Sequence, residues 1–315
     1  MGGEELVKLS IVVAAYNHEK YIEKTIQSIR DQIVDFEYEV IIGEDCSTDK
    51  TRNILKRIQK NCPDNFRFYY REKNLGAEKN FRDLYSKMRG EYFIVLEGDD
   101  YWIYPYKLQR QVDFLEKNRE YIAYGHDVIV VDKDSIKTEY QYPSCKKTEY
   151  SLKDFSVSIL PGQTATILSR NYFLDKKIDK SILNVDYYAG DRRRAFLLAA
   201  NGKVYCSQHK WSAYRYIFHE GNSYSANISE SEKTHAMDIE LSKAMIKYAK
   251  NNNNSMAQRV AEAKYISSLY SMKKFMNSIE YYSIIKKFFE CKYKKYIIYH
   301  FIRIRFLKSK EKEVK

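Results

Sequence analysis

Four times in the first 120 residues a short apolar run is followed by a stretch with helical spacing, and this alternation restricts the fold more than any other feature of the chain. "LSIVVAAY" carries a β-branched run at Leu9–Ala14 that reads as a buried strand. "HEKYIEKTIQSIRDQ" follows, with Tyr21, Ile22, Thr25, Ile26 and Ile29 on one helical face. "YEVIIGEDCS" and "TDKTRNILKRIQK" repeat the pair, with Ser47 or Thr48 as the expected N-cap. So do "FRFYYRE" with "GAEKNFRDLYSKM", and "EYFIVLEG" with "PYKLQRQVDFLEKN", whose helix is opened by Pro105. The repeat length is roughly 25 to 30 residues, which calls for an α/β fold with a mostly parallel sheet, helices on both faces and right-handed crossovers.

The second half is less regular. "YIAYGHDVIVVD", "QTATILS", "KVYCS" and "WSAYRYIF" read as strands, and "RRAFLLAANG" reads as a helix closed by Gly202. From about Ser231 to Tyr282 the pattern is helical and polar, broken by "NNNNS". The expected organisation is a catalytic domain over residues 1–230, with a nucleotide-binding half (1–118) and an acceptor half (119–230). A helical C-terminal extension over 231–315 ends in a basic tail.

In such sheets, ligands bind at the carboxyl ends of the strands. Three polar strand ends meet there: Ala15-Tyr16-Asn17 after the first, Gly43-Glu44-Asp45 after the second, and "EGDD" after the fourth. The last places Glu97, Asp99 and Asp100 within four positions. Residues two apart in a strand face the same way, about 6.6 Å apart, so Glu97 and Asp99 would share a side, with Gly98 leaving room for a ligand beside the backbone. A few hard oxygen donors suit Mg²⁺ or Mn²⁺ shared with phosphates, not zinc. Each cluster alone also reads as a solvated loop or a helix cap.

Over residues 9–117 the chain resembles the family 2 glycosyltransferases of GT-A fold, through "LSIVVAAYNHEKYIEKTIQSI", "EVIIGEDCSTDKT" and "YFIVLEGDDYWIYPYKLQRQVDFLE". The likeness thins over about 160–225. The resemblance implies an inverting, metal-dependent transfer from a nucleotide-sugar, a UDP-sugar by expectation, to a hydroxyl of a glycan or lipid-linked acceptor. It implies that Tyr16 packs on the base and that Asp45 hydrogen-bonds it, with Glu44 where Asp is commoner. "E-x-D" stands for the usual "D-x-D", so Asp99 would bind the metal and Glu97 would lie near the ribose, with Asp100 a second metal candidate. "DYYAGDRRRAFLLAANGKVYC" resembles the element carrying the general base. That points to Asp191, with Asp186 behind it and helix capping as the plainer role of Asp191. "QTATILSRN" resembles a strand bordering the acceptor, which makes Gln163 and Thr164 acceptor candidates, and Trp102 is a third. "AYRYIFHEGNSYS" resembles a family ending, making His219 a metal or phosphate contact and Arg215 an aid to the diphosphate. Arg192–Arg194 would grip phosphate or form a solvated helix face.

Net charge is +12, but residues 286–315 hold eleven Lys/Arg and three Glu. The body is nearly balanced. "KKFFECKYKKYIIYHFIRIRFLK" is too charged to cross a bilayer and suits an interfacial helix on an anionic leaflet, a helix packed on the domain, or an oligomer contact. No nucleic-acid module is evident, so nucleic acid is not an expected partner. Five widely spaced cysteines without a CxxC pair argue against a disulfide framework or a zinc site. With no apolar signal core in "MGGEELVKLS", a cytoplasmic enzyme, peripheral at the inner membrane face, is expected. A Lys-, Tyr- and Asn-rich composition is that of a low-GC bacterium, in which surface-polysaccharide assembly would be the setting. A nucleotidyltransferase of similar sheet would want a glycine-rich loop after the first strand, and "AAYNHEKY" has none. A non-catalytic binding module would lack the metal or base carboxylates. A dinucleotide oxidoreductase would need GxGxxG, which does not occur.

Overall fold

The computed structural model describes residues 7–142, 147–155, 161–185, 190–217, 232–272 and 278–313. Contacts group the chain into two units. The first comprises Met1–Glu149, Pro161–Ile178 and Gly202–Phe218; the second comprises Tyr150–Leu160, Asp179–Asn201 and His219–Lys315.

The first unit begins with β1 (Leu9–Ala15), α1 (Ile22–Arg30), β2 (Tyr38–Glu44), α2 (Thr51–Gln59), β3 (Phe66–Tyr70), α3 (Ala77–Tyr85) and β4 (Tyr92–Glu97). It continues with β5 (Tyr101–Trp102), α4 (Lys107–Lys117), β6 (Tyr121–Val131), β7 (Glu149–Tyr150, at the boundary), β8 (Leu168–Arg170) and β9 (Lys203–Arg215). Eight strands run in the order β3-β2-β1-β4-β8-β6-β9-β5. β1 lies between β2 and β4, parallel to both, and β3 extends the parallel set beyond β2. Ile11, Val12 and Val13 of β1, Val40 and Ile41 of β2, and Ile94 and Leu96 of β4 are wholly or almost wholly buried. Both faces of these strands are covered, which is why their sequences are continuous apolar runs and not alternating ones. α1 buries Ile22, Ile26 and Ile29, as its spacing predicts.

The parallel arrangement ends at β4. β8 is antiparallel to β4 and to β6, β9 is parallel to β6, and β5 is antiparallel to β9. The predicted strand "QTATILS" is instead a short 3-10 turn, Thr164–Thr166, leading into β8; Gln163 caps the turn by accepting a hydrogen bond from the Ala165 amide at 2.7 Å. The two strands expected from "KVYCS" and "WSAYRYIF" are one strand of 13 residues. Its exposed Gln208-His209-Lys210 segment is absorbed by register shifts against β6 around His126 and Asp127, so the ladder resumes without burying those side chains. α2 is not capped by Ser47 or Thr48. It starts later, and the Asp49 carboxylate takes the Thr51 amide at 2.8 Å. α4 likewise begins two residues past Pro105.

The second unit is helical: α5 (Leu152–Phe155), α6 (Gly190–Asn201), α7 (Glu232–Asn251), α8 (Ser255–Ser271), α9 (Ser278–Glu290) and α10 (Lys294–Glu313). Asn254, from the "NNNNS" break, caps α8 by accepting the Ala257 amide at 2.9 Å. Ala263, Ile266 and Leu269 of α8 form a core with Ile284 of α9 and Ile297 of α10. Among the described residues no helix is long and apolar enough to cross a membrane.

Among the described residues Cys46, Cys62 and Cys291 are free, whereas Cys206 is disulfide-bonded. One bonded cysteine beside three free ones is less than the framework that the spacing argues against, although distance along the chain does not bound distance in the fold.

Candidate active site

The strand register brings the predicted residues of the first unit together. Ala15 pairs with Glu44 across β1 and β2, and Ala14 pairs with Glu97 across β1 and β4. The ladder extends past the strands: the Asp45 amide donates to Ala15 O at 2.9 Å, and the Gly98 amide to Ala14 O at 3.0 Å. All three polar strand ends therefore open at one edge.

Tyr16 is 42 % exposed at this edge. Asn17 holds it there from a left-handed conformation (φ 56°), which Asn tolerates better than most residues. Its amide donates to Ser47 Oγ at 3.0 Å, and its Oδ1 accepts from the Thr48 amide at 2.9 Å. The Glu19 amide adds a bond to Asp49 Oδ2 at 3.0 Å. The two loops are thus laced together, and Asn17 acts through placement of its neighbours.

Glu44 is fully buried, accepts the Ser47 amide at 2.6 Å and pairs with the Arg52 guanidinium at 2.5 Å. Arg52 also donates to Arg71 O. The carboxylate is therefore a scaffold group under the strand end. Asp45 accepts the Leu75 amide at 2.8 Å and the Gly76 amide at 3.0 Å, one on each oxygen. Gly76 has φ 78°, the left-handed region that favours glycine. Asp45 thus fixes the entry to α3, and each oxygen retains a lone pair for a further donor.

The acidic run after β4 divides into two kinds of group. Asp100 is 1 % exposed and both its oxygens are occupied: Oδ1 by the Arg215 amide at 2.8 Å, Oδ2 by Gln163 Nε2 at 3.0 Å. Burial, and then the nearby Asp99 and Glu97 charges, push its carboxyl well above the usual carboxylate range. Asp100 is a latch inside the protein, which counts against the reading as a second metal ligand. Glu97 and Asp99 are only partly buried. The Asp99 side chain makes no hydrogen bond or ion pair among the described residues, while Glu97 Oε2 lies 3.4 Å from Gln163 Nε2. Glu97 and Asp99 are hard donors that fit Mg²⁺ or Mn²⁺. No group of three or more His, Cys, Asp or Glu converges among the described residues, so an ion held here requires phosphate oxygens and water to complete its shell.

Gly98 has a different role from the one expected. A Cβ there would lie 2.5 Å from His18 Nδ1 and 3.1 Å from Ala14 O, so the missing side chain makes room for the β1–α1 loop and not for a ligand. Trp102 is also corrected. It is 4 % exposed, donates Nε1–H to Ala165 O at 3.0 Å and lies under the Lys107 ammonium, so it packs inside the unit and offers no face to an acceptor. Gln163 is buried and serves Asp100, whereas Thr164 is partly exposed. Arg215 is buried as well. It donates to Asp99 O and Ser135 Oγ at 3.0 Å and lies 4.0 Å from the centre of the Tyr21 ring, so its guanidinium braces the acidic turn from within. This corrects its assignment to the diphosphate.

Two supporting residues escaped the sequence reading. Thr25 Oγ1 donates within 3.0 Å of both Gly98 O and Asp100 O; the available signal was a hydroxyl on the buried face of α1. Lys107 is fully buried and donates to Gln111 Oε1 at 2.7 Å. Burial drives its ammonium well below the ordinary value, and its signal was a cation beside the Leu108, Val112 and Leu115 stripe.

In the second unit, Asp191 is the second residue of α6, partly exposed, and accepts the Arg192 amide on Oδ1 at 2.8 Å. An acid in the first turn also complements the helix dipole. Arg193 is buried and donates to Leu183 O and Val185 O at 2.8 and 2.6 Å, which removes it from phosphate binding. Arg194 is buried too. Asp186 and His219 lie outside the described residues.

Residues 10–176 match the family model described as Glycosyl transferase family 2. An uncharacterised protein of Mycobacterium tuberculosis is 34 % identical over 184 residues, covering 57 % of this chain and 52 % of the relative. A putative teichuronic acid biosynthesis glycosyltransferase, TuaG of Bacillus subtilis, is 29 % identical over 153 residues, covering 48 % of this chain and 60 % of the relative. The chain thus spans about half the length of the curated relatives it matches. Among solved structures, Staphylococcus aureus TarS 1–349 in complex with UDP-GlcNAc superimposes with a TM-score of 0.63 at 17 % identity, over 90 % of this chain and 81 % of that one. That likeness establishes the GT-A-type fold.

Proposed function

The chain belongs to glycosyl transferase family 2, and we propose that it moves a sugar from a nucleotide-sugar, a UDP-sugar, to a hydroxyl of a glycan or lipid-linked acceptor in surface-polysaccharide synthesis, with inversion. The observation that carries this reading is the meeting of Tyr16, Asp45, Glu97 and Asp99 at the carboxyl edge of three adjacent parallel strands. The UDP-GlcNAc held by the similarly folded TarS supports the choice of nucleotide, and the name of TuaG supports the setting.

In this reading residues 1–118 handle the donor, 119–230 the acceptor, and 231–315 are an extension. Tyr16 packs on the base, and Asp45 holds the loop at Leu75 and Gly76 beside it. Asp99, with Glu97 beside it, would hold a divalent ion whose chemistry is to neutralise charge on the departing diphosphate. Asp100, Gln163, Thr25 and Arg215 keep the acidic turn in shape without touching substrate. Asp191 accepts the proton of the attacking hydroxyl, which then displaces the nucleoside diphosphate from the opposite face of the sugar carbon.

The test is calorimetric titration of the purified chain with UDP, with Mn²⁺ and then with EDTA. Binding that depends on the metal is expected. Failure of UDP, GDP, CDP and dTDP alike, with the metal present, would remove the donor site.

A further inference from the structure

The mature faces of the last two helices carry a feature that sugar transfer does not require. α9 turns Ile284 and Phe288 toward the core with α8, and α10 turns Ile297 and Phe301 inward. On the other side of α9 stand Tyr282, Ile285 and Phe289, spaced i, i+3, i+7 on one helical face, with exposed Lys286 among them. On the outer side of α10 stand Ile298, Tyr299 and Ile302. These six large apolar side chains are between 43 and 72 % exposed. Each helix thus carries a row of three large exposed apolar side chains, more than the singly scattered apolar residues of an ordinary surface, and such rows mark an interaction site.

The charges select the partner. Residues 282–303 hold six Lys/Arg and one Glu. Lys286, Lys292 and Lys295 are exposed beside the apolar rows. Pairing of this face with a second copy would set these cations against each other. An anionic bilayer satisfies both halves of the pattern: apolar side chains enter the headgroup boundary while lysines meet lipid phosphates. No described helix can cross the membrane, so contact is made in the plane of the surface. We propose that the outer faces of α9 and α10 form a docking surface for an anionic lipid bilayer. This goes beyond the transfer reaction and does not depend on it.

The test is co-sedimentation of the full chain with vesicles of phosphatidylcholine alone and of phosphatidylcholine mixed with phosphatidylglycerol. Binding to the mixed vesicles only, reversed by high salt, is expected. The double variant Ile285→Ser/Phe289→Ser should lower partitioning about tenfold or more. Lys286→Glu/Lys292→Glu should do the same, since each cation contributes about fivefold at such a surface. Both variants alter exposed side chains, and an unchanged circular dichroism spectrum checks the fold. Equal binding to both vesicle types, or none to either, overturns the proposal. So does a dimer in sedimentation that Ile285→Ser/Phe289→Ser dissociates, which would make a second copy the occupant.

Discussion

Asp99 and Asp100 are adjacent in sequence, yet the structure gives them opposite work, and a pair of alanine substitutions separates the two roles. Asp100→Ala takes the acceptor from the buried Arg215 amide and leaves Gln163 Nε2 with only the long contact to Glu97 Oε2 at 3.4 Å. An orphaned buried donor costs about 1–3 kcal/mol. Against this, the substitution removes a carboxyl whose ionised form burial and two neighbouring acids disfavour. Because that carboxyl can take up a proton to relieve the conflict, the relief is smaller than the loss. The expected net destabilisation is about 2–4 kcal/mol. Asp99 is partly exposed and its side chain bonds to nothing among the described residues. Asp99→Ala should therefore unfold within about 0.5 kcal/mol of wild type. Urea unfolding of both variants reads the first quantity. Calorimetry with UDP and Mn²⁺, at a temperature where both are folded, reads the second. Asp99→Ala should lose metal-dependent binding, and Asp100→Ala should retain most of it. If Asp100→Ala unfolds at the wild-type midpoint and yet loses metal-dependent binding, Asp100 is a ligand and the latch argument is wrong.

Asp191→Asn should lower kcat by about 10²- to 10⁴-fold while UDP affinity stays near wild type, and an unchanged kcat would remove Asp191 as the base. Trp102→Phe should cost about 1–3 kcal/mol in urea unfolding because Ala165 O loses its buried donor, and a neutral result would mean that the carbonyl finds another partner. Lys107→Met should change the pH dependence of stability. The folded chain holds the Lys107 proton less tightly than the unfolded chain does at about 10.5, so this group's contribution falls as pH drops below that value and levels off below the depressed folded pKa. Over that window wild-type stability should rise with pH by up to about 1.4 kcal/mol per unit more than the variant's, and parallel curves would show that Lys107 is not desolvated.

Legibility followed the range of the interactions. The first four strands and four helices were readable because a strand covered on both faces must be apolar throughout, while an amphipathic helix repeats with its own pitch. The 3-10 turn at Thr164–Thr166 and the single strand Lys203–Arg215 were not readable: Gln163, itself bonded to Asp100, caps the turn, and register against β6 sets the strand. The same division runs through the site. That Tyr16, Asp45, Glu97 and Asp99 would share one edge followed from parallel strands alone. Which acids face outward did not follow. Asp100, Arg215 and Gln163 are ordinary candidate ligands by residue type, and only their mutual contacts turn them inward.

The sequence by itself determined the parallel α/β half, the carboxylate edge and the basic tail, because local periodicity and net charge are properties of the chain. The tertiary structure decided which polar side chains are spent on one another and which remain for a ligand, because burial and hydrogen bonding between residues more than 100 positions apart, such as Asp100 and Arg215, exist only once the chain has closed.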